Sequence, residues 1–200
     1  QDEGNNIIAQ ACYQIAKEFD IEPYDEHTGK GVLRHIIGRI GQSGWMIILV
    51  TATEQLPHKE KWVEKLTERI PQVETIVHNV NGKRTNVILG PKNNILYGDG
   101  TITDHIKDLQ FTLSPHSFFQ VNPEQTTVLY DQALEYADLK GDETVIDAYC
   151  GTGTISLFLA HKAKHVIGIE IVEPAIINAR ENAQRNGYDN TEFIVADAAV

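Results

Sequence analysis

The sequence predicts an α/β protein in two parts, a strand-rich α+β domain over residues 1–113 and the beginning of a Rossmann-like domain over residues 114–200. Two observations predict this division. Up to residue 113, strand patterns follow one another closely, with helical patterns only at residues 5–19 and 56–70. From residue 114, a connector and a helix lead into alternating strands and helices, which are typical of a parallel sheet with right-handed crossovers.

Runs of β-branched and aromatic residues predict seven strands in the first part. They cover residues 32–40, 45–51, 75–80, 85–89, 94–97, 101–106 and 110–113. Asn81-Gly82 is a strong hairpin turn signal, so the strands on either side of it are expected to pair. Asn5 or Asn6 is expected to cap the first helix. Cys12 lies on the apolar stripe of that helix and is expected to be a small buried thiol rather than a nucleophile.

A capped helix opens the second part. Asn122 is a good N-cap, Pro123 suits the first helical position, and Gln125 completes a pattern that resembles a capping box. Strands and helices then alternate. The predicted strands cover residues 144–149, 164–171 and 192–196, and the predicted helices cover residues 155–163 and 174–185.

The composition excludes several classes of protein. The chain has 200 residues, of which 42% are hydrophobic, and it lacks the roughly 18 consecutive apolar residues that a membrane span needs, so we expect a soluble protein. Its formal charge of −11 argues against nonspecific binding to phosphate backbones, although no acid lies between Glu26 and Glu54. The two cysteines lie far apart and without metal-binding spacing, so we expect no metal and a reducing, cytoplasmic location.

Three acids at three predicted strand ends surround a glycine turn. Asp147 lies near the end of the predicted buried strand 144–149, the turn Gly151-Thr-Gly153 follows, and a helix begins, so the backbone can approach a ligand closely. Glu170 ends the next strand, where an acid can accept two ribose hydroxyls, and Asp197 ends the third, where an acid can accept an adenine amine. Each acid alone is more often a surface carboxylate. Three of them at one sheet edge predict a nucleoside-binding site.

Two cofactors fit such a site, a nicotinamide dinucleotide and S-adenosylmethionine. The dinucleotide fingerprint requires a third Gly or Ala where this chain has Ser156, and Asp147 would repel the pyrophosphate. S-adenosylmethionine carries a sulfonium and an ammonium group, which an acidic pocket favours. The twelve acids and five bases after residue 130 therefore support the methyl donor.

At these motifs the chain resembles a known family, the RNA uracil-5-methyltransferases, which make 5-methyluridine in ribosomal and transfer RNA. The resemblance rests on Ser117-Phe-Phe-Gln-Val-Asn122, Asp147-Ala-Tyr-Cys-Gly-Thr-Gly-Thr154 and Gly168-Ile-Glu-Ile171. Residues 31–35 and 83–90 also look like the central domain of that family. The resemblance implies that the second part is the N-terminal half of a Rossmann-like, S-adenosylmethionine-dependent methyltransferase domain.

The resemblance also implies roles for particular residues. Gln120, Tyr149 and Glu170 would contact the methyl donor. The other candidates for the cofactor site are Asp147, Gly151, Gly153, Thr154 and Asp197. Phe118 is a candidate to stack on a flipped-out uracil, and equally a core phenylalanine that closes the connector over the sheet.

The expected RNA-binding surface lies in the first part. Its candidate residues are Arg34, His35, Arg39, Lys83 and Arg84. Strand alternation sends Arg34 and His35 to opposite faces, so these groups cannot all share one surface, and ordinary solvation of strand edges is the alternative. By the resemblance, ribosomal RNA is favoured over transfer RNA as the substrate.

In this family a cysteine thiolate adds to carbon 6 of uracil, and a general base later removes the proton from carbon 5. By the resemblance, Cys150 belongs to the cofactor loop, and the nucleophile and base are expected beyond Val200. We therefore predict that these 200 residues, expected to be part of a longer chain, do not methylate RNA by themselves. They supply only the first strands of the family's sheet, so the open edge of strand 144–149 is expected to promote dimerisation.

Two other hypotheses remain open. One is an S-adenosylmethionine-dependent methyltransferase that acts on another substrate, in which the Phe-x-Gln segment is only structural. The other is a binding module that holds the cofactor or RNA without chemistry.

Overall fold

The structure, a computed structural model, describes residues 3–117 and 122–199, and it divides into two compact units, residues 1–102 and 103–200. The helices are α1 (Glu3–Glu18), α2 (Lys59–Arg69), α3 (Pro123–Ala137), α4 (Thr154–Ala160) and α5 (Glu173–Arg185). The strands are β1 (Leu33–Ile40), β2 (Trp45–Thr51), β3 (Val73–Val80), β4 (Lys92–Tyr97), β5 (Ile102–Ile106), β6 (Leu109–Leu113), β7 (Thr144–Asp147), β8 (His165–Glu170) and β9 (Thr191–Val195).

The first unit is a four-stranded sheet in the order β1-β2-β3-β4, with α1 and α2 packed against it. Strands β1 and β2 pair antiparallel as a hairpin, and α2 provides the crossover that makes β2 and β3 parallel. Strand alternation sends Ile47 of β2 and Ile76 of β3 into the core with Trp62 and Leu66 of α2, and all four are fully buried. Burial of these large apolar side chains is the main force that holds the helices on the sheet.

The prediction of a strand over residues 85–89 is wrong, because this segment is a loop. The strand that pairs with β3 is β4, later in the chain. The side-chain amide of Asn81 donates to the carbonyl oxygens of Val87 (2.7 Å) and Ile88 (2.9 Å). These side-chain bonds satisfy the backbone groups that a second strand would otherwise have paired, so the loop is held without a ladder.

The start of the first helix also differs from the prediction. In the described residues α1 begins at Glu3, so Asn5 and Asn6 lie inside the helix and do not cap it. The prediction for Cys12 is confirmed, since its side chain is fully buried. Burial raises the pKa of the Cys12 thiol to about 12, which keeps it protonated and unreactive at neutral pH.

The second unit contains the three-stranded parallel sheet β7-β8-β9 that the sequence predicts, together with the β5–β6 hairpin. The predicted cap of α3 is confirmed, because the Asn122 side chain accepts a hydrogen bond from the Gln125 backbone N–H (3.1 Å). Hairpin strand β6 packs against α5, and the second compact unit begins at residue 103, whereas the sequence places the domain boundary after residue 113. No helix in the described ranges is both long and apolar enough to cross a membrane.

Candidate functional site

The three acids singled out from the sequence lie at the same edge of the second unit's sheet. Asp147 is the last residue of β7 and Glu170 the last residue of β8, while Asp197 follows the end of β9. Because the three strands are parallel and adjacent, their carboxyl ends meet at one edge. This edge is the usual position of a ligand in an open α/β sheet.

Glu170 ties the glycine turn to the sheet. Its carboxylate accepts hydrogen bonds from the backbone N–H groups of Gly151 (3.3 Å) and Val172 (3.0 Å). Its own carbonyl oxygen accepts the N–H of Ala196 (3.1 Å), just beyond β9. A carboxylate has about four acceptor positions, so the half-buried Glu170 can still accept two hydroxyl groups.

The glycine turn is built by two residues with positive φ. Gly151 has φ +56° and Gly153 has φ +80°, a region that favours glycine. A Cβ added at Gly153 would lie 3.0 Å from the ring of Phe193, a tight contact, so packing also favours glycine there. At Gly151 an added Cβ would meet nothing within 4 Å, so one side of the turn faces open space.

Asp147 lies behind this turn and is half-buried. Its carboxylate accepts a hydrogen bond from the hydroxyl of Ser156 (2.5 Å) in the first turn of α4. Burial raises the pKa of Asp147 and the negative charge of Glu170 raises it further, against the lowering effect of the Ser156 bond. Ser156 and Asp147, which both argued against a pyrophosphate in the sequence, are therefore hydrogen-bonded to each other in the structure.

Cys150 packs beneath the turn and is not placed as a nucleophile. Its side chain is buried, and its sulfur lies 2.9 Å from where a Cβ on Gly168 would stand. Burial, followed by the charges of Asp147 and Glu170, raises the pKa of the Cys150 thiol to about 12. Its role is to fill the space between the turn and β8.

The remaining cofactor candidates differ in their surroundings. Tyr149 is 74% exposed beside the turn, and Asp197 is exposed, with its carboxylate accepting the N–H of Ala199 (2.9 Å). The hydroxyl of Thr154 instead makes a hydrogen bond with the hydroxyl of the buried Tyr130 (2.9 Å), which docks α3 on α4. Two further candidates, Phe118 and Gln120, lie outside the described residues.

Sequence reasoning missed a buried asparagine that holds the glycine turn from below. The Asn182 side chain is fully buried and donates to the carbonyl oxygen of Thr152, in the middle of the turn (3.1 Å). The available signal was an asparagine repeated every four residues along a predicted helix, which is unusual on an apolar face.

Arg34 does not have the role expected from the sequence. Its guanidinium donates to both carboxylate oxygens of Glu26 (2.8 and 3.1 Å) and to the carbonyl oxygens of Asn81 (3.2 Å), Lys83 (2.8 Å) and Thr85 (2.9 Å). These contacts use all five N–H groups, and the side chain is only 2% exposed. Arg34 therefore stabilises the loop after β3, and this replaces the expectation that it binds RNA.

Three of the basic candidates line one cavity, although strand alternation predicts that Arg34 and His35 lie on opposite faces of the sheet. The register of β1 shifts between Leu33 and His35, and Arg34 and His35 both line this cavity of about 410 Å³. Arg84 also lines this cavity and donates to the carbonyl oxygen of His27 (3.2 Å).

The two remaining basic candidates occupy different environments. Lys83 is exposed. Arg39 is half-buried, and burial lowers the pKa of its guanidinium. In residues 3–117 and 122–199, no group of three His, Cys, Asp or Glu is arranged to hold a metal.

The chain is similar in sequence to a methyltransferase family model and to several RNA methyltransferases. A family model described as a methyltransferase domain matches residues 139–199. An uncharacterized RNA methyltransferase of Halalkalibacterium halodurans is 52% identical over 200 residues, which cover 99% of this chain and 44% of that protein. One of Clostridium acetobutylicum is 51% identical over 98% of this chain and 43% of that protein. The chain thus spans less than half the length of these relatives.

Solved structures agree in fold. The Pyrococcus abyssi tRNA (uracil-54, C5)-methyltransferase, solved with S-adenosyl-L-homocysteine, superimposes with a TM-score of 0.78 at 28% identity, over 94% of this chain and 45% of that one. A tRNA m1G37 methyltransferase of M. jannaschii shares the fold, with a TM-score of 0.53 at 15% identity over 94% of this chain and 53% of that one. The chain is therefore α/β, and its second unit has the Rossmann-like fold of S-adenosylmethionine-dependent methyltransferases.

Proposed function

We propose that the second unit binds S-adenosyl-L-methionine at the sheet edge formed by Asp147, Glu170 and the segment after β9. The observation that carries this proposal is the carboxylate of Glu170, bonded to the N–H of Gly151 while one side of that glycine stays open. A ligand on that side meets carboxylates from neighbouring strands. They attract the sulfonium and ammonium of this cofactor and would repel a pyrophosphate.

Each residue then has a distinct task. The free acceptor positions of Glu170 hold the two ribose hydroxyls, and Asp197 accepts the adenine amine. Burial raises the pKa of Asp147, and the approach of the ammonium group favours its ionised form. The exposed ring of Tyr149 and the side chain of Gln120 complete the pocket in this proposal. The cofactor, when bound, supplies an electrophilic methyl group.

We further propose that the complete gene product transfers this methyl group to carbon 5 of uridine in RNA. The family motifs, the names of the relatives and the uracil-directed P. abyssi neighbour support this choice. 23S ribosomal RNA is the substrate proposed, and the tRNA specificity stated for the neighbour makes tRNA the alternative. Phe118 stacks on the flipped-out base, and the protein acts in the cytoplasm.

The proposed RNA contacts of the first unit lie on the exposed part of the loop after β3. Lys83 is exposed and Arg84 lines the cavity of about 410 Å³, so these two residues are the proposed phosphate contacts. Arg39, being half-buried, is proposed only as a minor contributor. Arg34 supports them by holding the carbonyl of Lys83 in place.

The chemistry of the two cysteines supports a nucleophile outside these 200 residues. Burial raises the pKa of both Cys12 and Cys150 to about 12, so both thiols stay protonated at pH 7. Addition to carbon 6 of uracil requires a thiolate. We therefore propose that this chain holds the cofactor and does not itself form the adduct with uracil.

The test is methyl transfer by the complete gene product from labelled S-adenosylmethionine, with 23S rRNA and tRNA supplied in separate reactions. The RNA is digested and its nucleosides are identified by mass spectrometry. The proposal expects label in 5-methyluridine, lost in Glu170→Gln and kept in Glu173→Gln, an exposed acid of the next helix. Label in any other nucleoside would favour a methyltransferase with another specificity. Cofactor binding without any transfer would favour a binding module.

A further inference from the structure

Three asparagines form a ladder along α5 and its C-cap. Asn178, Asn182 and Asn186 are spaced four residues apart, so their side chains lie one above another along the helix. Asn182, in the middle, is fully buried. A buried amide carries two N–H donors and a carbonyl acceptor, and it is costly unless both kinds of group are paired.

The ladder pairs with the outer edge of β6 and the connector after it. Asn186 accepts the backbone N–H of Gln110 (2.8 Å) and donates to its carbonyl oxygen (2.7 Å). Asn178 accepts a hydrogen bond from the hydroxyl of Ser117 (3.2 Å). These amide side chains replace a neighbouring strand on the open side of β6.

Asn182 makes the same kind of bond to β6 and a second one to the glycine turn. Its Oδ1 accepts the backbone N–H of Thr112 (2.8 Å), and its Nδ2 donates to the carbonyl oxygen of Thr152 (3.1 Å). Thr152 stands between the two glycines of positive φ, and its side chain is buried. One side chain therefore joins β6, α5 and the middle of the turn.

We propose that Asn182 is a positioning residue of the cofactor site, which fixes the glycine turn to the β5–β6 hairpin. This inference rests on the proposed binding of S-adenosylmethionine at that turn. The neutral amide of Asn182 accepts from the Thr112 N–H and donates to the Thr152 carbonyl at once, which an ionised carboxylate cannot do. An ionised aspartate keeps the first bond but directs a second acceptor at the Thr152 carbonyl, so the turn loses its anchor.

Asn182→Asp and Asn186→Asp are matched variants, because they make the same chemical change inside α5 and at its C-cap. Binding of S-adenosylhomocysteine to the 200-residue chain is measured by calorimetry. Asn182→Asp should raise Kd by about tenfold to a hundredfold, the range that an unpaired buried carbonyl implies, and Asn186→Asp by less than about twofold. Equal losses in both variants, or parental affinity in Asn182→Asp, would overturn the inference.

Hydrogen exchange supplies a readout that needs no variant of Asn182. In the unaltered chain, S-adenosylhomocysteine should slow exchange of the Thr112 amide, which is bonded to Asn182, and leave the Gln110 amide unchanged. Equal protection of both amides, or of neither, would contradict the coupling even if Asn182→Asp did not fold. Should the unaltered chain not bind at all, the proposed cofactor site fails first. If the unaltered chain binds S-adenosylhomocysteine and Asn182→Asp binds it equally well, only the positioning role is refuted.

Discussion

Replacement of Arg34 by leucine tests whether this residue stabilises the fold or contacts RNA. Leucine keeps an apolar stem of moderate size and removes the guanidinium. The loop after β3 then loses its donor to three carbonyl oxygens, and Glu26 loses its ion-pair partner. The guanidinium also lies 5.0 Å above the ring of Tyr24, so a cation–π contact is lost.

The magnitude follows from the exposure of each partner. The Asn81 carbonyl is part-buried, and leaving it without a donor costs about 1–3 kcal/mol. Water can replace the guanidinium at the exposed carbonyls of Lys83 and Thr85, so they add little. The Glu26 side chain is 54% exposed, which limits the ion pair to about 0–1 kcal/mol, with a similar amount from the contact to Tyr24. Arg34→Leu should lower the free energy of unfolding by about 3 kcal/mol.

The assay is urea denaturation followed by tryptophan fluorescence. Both tryptophans of the chain, Trp45 and Trp62, lie in the first unit, so their emission follows the unfolding of residues 1–102. Lys83→Ala is the control, because it keeps the backbone carbonyl, and it should change stability by less than about 0.5 kcal/mol. A loss below about 1 kcal/mol in Arg34→Leu would refute the structural role and return Arg34 to the candidate RNA contacts.

Three further outcomes are expected. Gly168→Ala would place a methyl group 2.5 Å from Phe193 and should destabilise the second unit by about 1–3 kcal/mol, seen as faster hydrogen exchange in β8; unchanged exchange would contradict the packing. Above pH 9.0 the unfolded Cys12 thiol ionises while the folded one, with a pKa of about 12, does not, so stability falls as pH rises. By pH 10.5 the parent should lose about 2 kcal/mol more than Cys12→Ala, and an identical decline in the two proteins would argue against a buried thiol. Ile146, 63% exposed on β7, should promote dimerisation that Ile146→Lys abolishes in sedimentation, whereas a monomeric parent would show that this edge does not self-associate.

The second unit was largely predictable because its signals are local. The apolar runs of the parallel strands and the cap at Asn122 depend on residues close in sequence, although β7 is more exposed than the buried strand predicted. The positions of Asp147 and Glu170 at strand ends followed from the same pattern, since parallel strands share one carboxyl edge. Local sequence patterns were therefore enough to predict the acids and the glycine turn of the candidate site.

The features that could not be predicted depend on contacts between distant residues. The segment over residues 85–89 has strand-like composition, but its backbone is bound by Asn81 and the guanidinium of Arg34. The register of β1 shifts next to Arg34, and no alternation rule reveals such a shift. Asn182 was missed for the same reason, because its two partners lie 70 and 30 residues away.

The central claim is that the second unit holds S-adenosylmethionine through Glu170, and calorimetry on the 200-residue chain tests it most directly. S-adenosylhomocysteine and NAD are titrated separately into the parent chain, Glu170→Gln and Glu173→Gln. We predict that S-adenosylhomocysteine binds the parent and Glu173→Gln. Glu170→Gln should weaken it by about tenfold or more, since two charge-assisted hydrogen bonds to the ribose are lost. NAD should not bind. Binding of NAD in place of S-adenosylhomocysteine, no binding of either, or full affinity in Glu170→Gln would contradict the claim.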